Sequence, residues 1–167
     1  EKAKEILEAA GCEMGDAGFY YRDGEKVGFV ISVSAGDQAR NDMAQIAAQE
    51  LKEIGMDVYV EIKEKTEWEG QMAFLIGWGS PFDADDHTYK VFGTDKGANY
   101  SGYSNADVDK YLTEARQSAD PEVRAEAYAN FQKALAEDPA YAMICYIDAN
   151  YVADSNIKGI DPDTIMG

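Results

Sequence analysis

Val27, Phe29, Ile31 and Val33 fall on alternate positions, the two-residue period of a strand with one apolar face. Just before them, Asp23-Gly24 separates two strand-like runs within residues 19–33, the signature of a type I′ hairpin turn. The period then changes. Met43, Ile46, Ala47, Leu51 and Ile54 recur at helical spacing up to a stop at Gly55. Val58, Val60 and Ile62 alternate with Asp57, Tyr59, Glu61 and Lys63, which predicts a half-buried strand. Met72-Ala73-Phe74-Leu75-Ile76 is a continuous apolar run, the pattern of a fully buried strand. Strand, helix, strand is a βαβ unit with a right-handed crossover. Strands near 27–33, 58–62 and 72–77 should share one sheet, with a 38–54 helix on a face.

Helical spacing returns on either side of this unit. Ala3, Ile6, Leu7 and Ala10 form one apolar face of a first helix that stops at Gly11. Ser104 or Asn105 caps a helix bearing Val108, Tyr111, Leu112 and Ala115 on one face. Asp120-Pro121, a cap followed by proline at the first helical position, opens another helix to about Glu137. Its inward positions are Ala127, Tyr128, Phe131, Ala134 and Leu135, and Pro139 ends it. Residues 141–152 read as a long apolar strand, while the stretch from the Trp78 loop to Tyr103 reads as acidic and irregular. One connection is too short. A parallel crossover takes about a dozen residues or more, and between Glu64 and Gly70 there is only about half that. Either the flanking strands form a hairpin, or residues near 66–70 are missing from the chain.

The length of 167 residues suits a single domain, 1–167. Its 32 acidic side chains against 15 basic ones give a formal charge of -17. That balance excludes nucleic acid, which needs clustered Lys and Arg, and anionic membrane surfaces. Cys145 lies in an apolar run and reads as a buried thiol; whether it pairs with Cys12 is open. Ala9-Ala10-Gly11-Cys12 resembles a lipoprotein cleavage site, but charged helical residues precede it instead of an apolar segment. The chain reads as a piece of something longer.

The candidate chemistry sits at Gly77-Trp78-Gly79-Ser80-Pro81-Phe82-Asp83, where the apolar run gives way to a loop. Ligands of open α/β sheets lie beyond the carboxyl ends of the strands. A flat ring there offers an apolar surface, and the loop can add polar contacts. The same residues would equally serve as a tryptophan closing the core above a tight turn. Asp83, Asp85 and Asp86 invite a calcium or acid-catalysis reading. Counted as a calcium loop from Asp83, however, Thr88 stands where glycine is needed and Thr94 where the bidentate glutamate belongs. His87, the only histidine, reads as a surface loop residue. Nothing assembles a catalytic or metal centre, and no cofactor is implied. Asn99-Tyr100-Ser101-Gly102-Tyr103-Ser104-Asn105 is either a capping loop or a rim of the same cleft, with Tyr100 and Tyr103 facing it.

Several segments together carry a resemblance. They are Leu51-Lys52-Glu53-Ile54-Gly55-Met56-Asp57-Val58, the Trp78-Gly79 loop, the 99–105 segment with Val108-Asp109 after it, and Leu135-Ala136-Glu137-Asp138-Pro139. In order and spacing this chain resembles the extracytoplasmic solute-binding proteins of peptide and nickel ABC transporters (family 5). The resemblance implies a type II periplasmic-binding-protein lobe with a mostly parallel sheet flanked by helices, the C-terminal ligand-binding lobe of a two-lobe receptor. It also implies a helix between the strands around 64–70 that this chain lacks.

The partners implied are a peptide, nickel chelate or other small solute, an N-terminal lobe of the same protein, and ABC permease subunits in the membrane. The location implied for the chain itself is extracytoplasmic, in the periplasm or on the outer face of the cell membrane. Peptide binders of the family commonly carry aspartate three residues after the tryptophan, where this chain has Pro81. The order Trp, Gly, small, Pro, aromatic, Asp is closer to nickel-binding relatives, although Phe82 replaces their tyrosine. His87 does not sit at the distance of their histidine. The resemblance therefore implies ligand contacts from Trp78, Gly79, Ser80, Pro81, Phe82 and Asp83, with Tyr100 and Tyr103 as rim. The rival readings are a small acid hydrolase using Asp83 and Asp85, and a purely structural domain.

Overall fold

The computed structural model describes residues 1–64, 70–79, 83–147 and 152–159. They divide into two compact units, Glu1–Gly77 and Trp78–Gly167.

The first unit runs α1 (Lys2–Ala9), β1 (Glu13–Met14), β2 (Tyr20–Arg22), β3 (Glu25–Lys26), β4 (Gly28–Ser34), α2 (Gln38–Glu53), β5 (Asp57–Lys63) and β6 (Ala73–Phe74). β1, β2 and β3 form an antiparallel meander, with Arg22 opposite Glu25. The hairpin turn between β2 and β3 has Asp23 at φ 52° and Gly24 at φ 83°, the two left-handed residues of a type I′ turn. The run that follows does not stay in this sheet. Val27 donates to the Tyr20 carbonyl on one side (2.8 Å), and its own carbonyl accepts from Asp57 N–H on the other (2.8 Å), so the chain changes sheets there. Gly28 makes the change possible, because a Cβ at this position would run into the Asp57 carbonyl oxygen.

β4 is the central strand of the second sheet, in the order β5-β4-β6, and both neighbours are parallel to it. Ile31 stands opposite Val60 on one side and Ala73 on the other. The three expected strands therefore share one sheet, and the hairpin alternative falls: β5 and β6 lie on opposite sides of β4. The apolar 72–77 run contributes only Ala73–Phe74 as strand. The gap expected near 66–70 lies mostly outside the described residues.

α2 packs on the sheet through Ala44 and Ala48, which are buried with Ile31, Val33 and Val58 while Ala47, Leu51 and Val60 flank them. Ile46, read as inward, is exposed. Small side chains let the helix approach the sheet closely, and this turns the apolar face toward the alanines. α1 buries none of its residues; its expected apolar face stays at the surface.

The second unit is helical: α3 (Ala84–Phe92), α4 (Ala106–Gln117) and α5 (Pro121–Glu137). Asn105 caps α4, its side chain accepting from Asp107 N–H (3.0 Å) and Val108 N–H (3.2 Å). Asp120 caps α5 ahead of Pro121. Val108, Leu112 and Phe131 form the buried centre, ringed by Tyr89, Phe92, Tyr103, Tyr111, Tyr128 and Leu135.

Three expectations need correction here. The acidic stretch expected to be irregular contains α3, whose acids occupy a cap and a first turn, where negative charge suits the helix dipole. The strand expected at 141–152 is absent from the described part of that range. Tyr141 packs edge-on against Phe92 (5.9 Å, 83°), but Met143, Ile144, Tyr146 and Ile147 are then exposed. A strand needs a paired neighbour to satisfy its backbone groups, and an apolar run does not supply one. In the same segment Cys145 is exposed, whereas Cys12 is the buried, free thiol. Among the described residues no helix is long and apolar enough to cross a membrane.

Candidate ligand-binding surface

Trp78 opens the second unit with its indole 39 % exposed. It lies nearly parallel to the ring of Tyr100, with centroids 6.2 Å apart and planes 7° from parallel. The His87 ring approaches at 5.8 Å and 51°. Offset parallel and tilted pairs of this kind are favoured aromatic geometries, so the three rings form a patch that holds itself together at the surface. Gly79 has open space where a Cβ would stand. The depressions of the described surface include two shallow ones away from these rings. One lies along α4 and α5 at Glu114, Val123 and Glu126, the other along α2 and β5 at Gln49, Lys52 and Tyr59; neither includes Trp78 or Tyr100. Trp78 and Tyr100 are both exposed, so the aromatic patch presents ring surface to solvent among the described residues.

Of the residues singled out from the sequence, the described ones each have a definite place. Ser80, Pro81 and Phe82 lie outside the described residues. Asp83 caps α3, accepting from Asp85 N–H at 2.8 Å, and both of its oxygens accept from Arg124 Nη2 at 2.6 and 2.7 Å. The Asp85 backbone N–H and then the Arg124 guanidinium hold the Asp83 carboxyl below the usual carboxylate range. Asp83 in turn raises Arg124. Asp85 pairs with Arg116 at 3.7 Å, and Asp86 with Lys90 at 3.2 Å. A general acid needs a carboxyl raised toward neutrality; Asp83 is shifted the other way. Among the described residues no group of three or more His, Cys, Asp and Glu could hold a metal ion.

Within the 99–105 segment the two tyrosines have different surroundings. Asn99 pins the loop, its amide donating to the carbonyls of Gly93 (3.0 Å) and Tyr103 (2.7 Å). Tyr103 donates its hydroxyl to the Asp138 carbonyl at 2.9 Å and packs on the helical core, and burial pushes its phenol upward. Tyr103 is thus partly buried against the helical core, whereas Tyr100 is exposed and stacked on Trp78. The sequence reading missed three participants. His87 is on α3 and contacts Trp78, and Arg116 and Arg124 hold the acids that precede it. The one available signal was the order of Asp83 as cap, Asp85 and Asp86 in the first turn and Lys90 in the last, which marks a helix.

Known proteins resemble this chain in sequence and in fold. The model of bacterial extracellular solute-binding proteins, family 5 Middle, matches residues 1–100. The chain is 36% identical over 165 residues to Protein XP55 of Streptomyces lividans, covering 95% of this chain and 30% of that protein. It is 30% identical over 172 residues to Oligopeptide-binding protein AppA of Bacillus subtilis (strain 168), covering 95% of this chain and 31% of that one. In structure it resembles NikZ from Campylobacter jejuni, solved in complex with Ni(L-His). The TM-score is 0.79 at 34% identity, over 83% of this chain and 30% of NikZ. The oligopeptide-binding AppA from Bacillus subtilis, solved with a nonapeptide, gives 0.75 at 29% identity, over 84% of this chain and 30% of that one. This chain spans about 30% of the length of these relatives. The parallel β5-β4-β6 sheet with α2 packed on it, the matched family model and these relatives agree: the chain belongs to the bacterial extracellular solute-binding proteins of family 5, with the type II periplasmic-binding-protein fold.

Proposed function

We propose that this chain is the C-terminal ligand-binding lobe of a solute receptor that serves an ABC importer outside the cytoplasm. The observation that carries the proposal is the half-exposed Trp78, stacked on Tyr100 at the end of an apolar run. A large ring left partly wet loses stabilisation that burial would have supplied, and a solute laid on it would recover that contact. The 78–83 segment would supply the ligand contacts, with Trp78 as platform, Tyr100 as rim and Asp83 closing the segment through its cap and its arginine.

Capture would rest on binding free energy alone, with no bond made or broken. A solute bridging this lobe and an N-terminal lobe of the same protein would stabilise a closed form that docks on the permease. Peptides and nickel chelates are the solute classes to test, since relatives solved with a nonapeptide and with Ni(L-His) both share the fold. The hydrolase reading loses its basis, because Asp83 and Asp85 are each engaged by an arginine.

Calorimetric titration of the full-length receptor with a short peptide series and with Ni(L-His) tests the proposal. Micromolar or tighter binding of one class by the full-length receptor is expected. This lobe alone should bind in the millimolar range or not at all, since working pockets bury roughly 70–90% of a small ligand. Full affinity in the isolated lobe would contradict the two-lobe mechanism.

A further inference from the structure

Arg124 stands on α5, 41 residues from its partner Asp83. While Nη2 holds both oxygens of that carboxylate, Nη1 donates to the Ala115 carbonyl near the end of α4 at 3.1 Å. Its guanidinium also lies 5.5 Å from the centre of the Tyr128 ring. One side chain on α5 thus ties α4 to the residue that begins α3. Only the planar fork of arginine can make these contacts together; a lysine ammonium would reach one at a time. From this fixed start, α3 carries His87 one turn on, and the His87 ring rests against Trp78 at 5.8 Å. Trp78 is otherwise held only by Tyr100 among the ring contacts of the described residues. We infer that Arg124 is the positioning residue of the Trp78 platform: its grip on Asp83 fixes the first turn of α3, and that turn sets His87 against the indole. The functional weight of this inference rests on Trp78 being a ligand contact, but its test uses no ligand.

The chain has two tryptophans, Trp68 and Trp78, so Trp68→Phe leaves Trp78 as the sole indole reporter. Emission maximum and acrylamide quenching are then compared for Arg124→Met, Arg124→Lys and Asp83→Asn in that background. Asparagine keeps a good helix cap but loses the charged, two-oxygen grip. Folding of each variant is checked by its far-ultraviolet helical signal. The expected result is a red shift and stronger quenching in both Arg124→Met and Asp83→Asn, with Arg124→Lys between these and the parent. The double variant should move no further than either single one, because both act through one contact. Should Arg124→Met fail to fold, Asp83→Asn decides alone. An unchanged Trp78 signal in a folded variant, or purely additive effects, would overturn the inference. If Trp78→Ala instead left ligand affinity unchanged in the full-length receptor, the ligand reading would fall while the positioning result stood.

Discussion

Around β4, aliphatic side chains close on a helix through alanines: Ile31, Val33 and Val58 against Ala44 and Ala48. Around α4, the packing is aromatic, with Phe131, Phe92 and four tyrosines about Val108 and Leu112. The surfaces differ as well. The sheet unit settles its geometry through ladder and turn, whereas the helical unit ties its outer helix α3 with ion pairs from Arg116 and Arg124. A binding surface has to stay partly open, so its rings cannot be held by burial alone. Long-range polar clamps and ring-on-ring contacts can hold them instead. The difference separates residues that make the fold from residues that make the platform.

Core truncation in the helical unit is the largest expected effect. Leu112 is fully buried, and Leu112→Ala should lower stability by about 2–5 kcal/mol, read from denaturant unfolding. Hydrogen exchange should show the loss in α4 and α5. In the sheet unit the corresponding break is a backbone one. Gly28→Ala should cost about 1–3 kcal/mol, since a Cβ there presses on the Asp57 carbonyl and must part β4 from β5. Its exchange signature should fall on those two strands. If Gly28→Ala were neutral, the close approach at the sheet switch would be wrong.

These two sites also mark where sequence reading succeeds and where it stops. Val27 to Val33, 58–62 and the helix between them were legible because the core face repeats at a fixed period, and Asp23-Gly24 because its turn demands left-handed residues. The α4 and α5 caps were legible for the same local reason. By contrast, α3 is nine residues long and begins with acids, too short for its period to show. The arginine partners were not legible at all, because Arg124 meets Asp83 across 41 residues. At 141–152 an apolar run suggested a strand, but pairing is a property of the neighbour and not of the run. Within the candidate platform, Trp78 was legible from its place after the apolar run. The His87 contact and the partial burial of Tyr103 against the helical core came only with the fold.

A smaller effect tests the capping of the helical unit. Asn105→Ala leaves the N–H groups of Asp107 and Val108 without their acceptor and should cost about 1 kcal/mol. Thermal unfolding measures it, and Asn105→Ser should recover most of the loss.

Smaller again is the pH dependence of the clamp. Because the folded-state pKa of Asp83 lies below its ordinary 3.8, its contribution is fully present above that value. It is lost as pH falls from there through the depressed folded pKa. Carboxyl chemical shifts followed by NMR should place the Asp83 midpoint below 3.8 in the parent and return it upward in Arg124→Met, with Asp85 N–H still lowering it in part. A midpoint unmoved by Arg124→Met would remove the ion pair from the account.

The smallest stability effect is expected at Trp78, the residue proposed as the ligand platform. With its ring 39 % exposed, Trp78→Ala should cost about 1 kcal/mol of stability or less. Its effect on ligand affinity should run the other way, about 2 kcal/mol or more, the scale of an interface hot spot, or roughly a thirtyfold weaker Kd. The direct test is to titrate the full-length receptor and its folded Trp78→Ala variant with whichever of the peptide or Ni(L-His) probes the parent binds. A thirtyfold loss with a nearly unchanged melting temperature is the predicted result. A variant that melts far lower yet binds with parental affinity while folded would return Trp78 to the core and contradict the account.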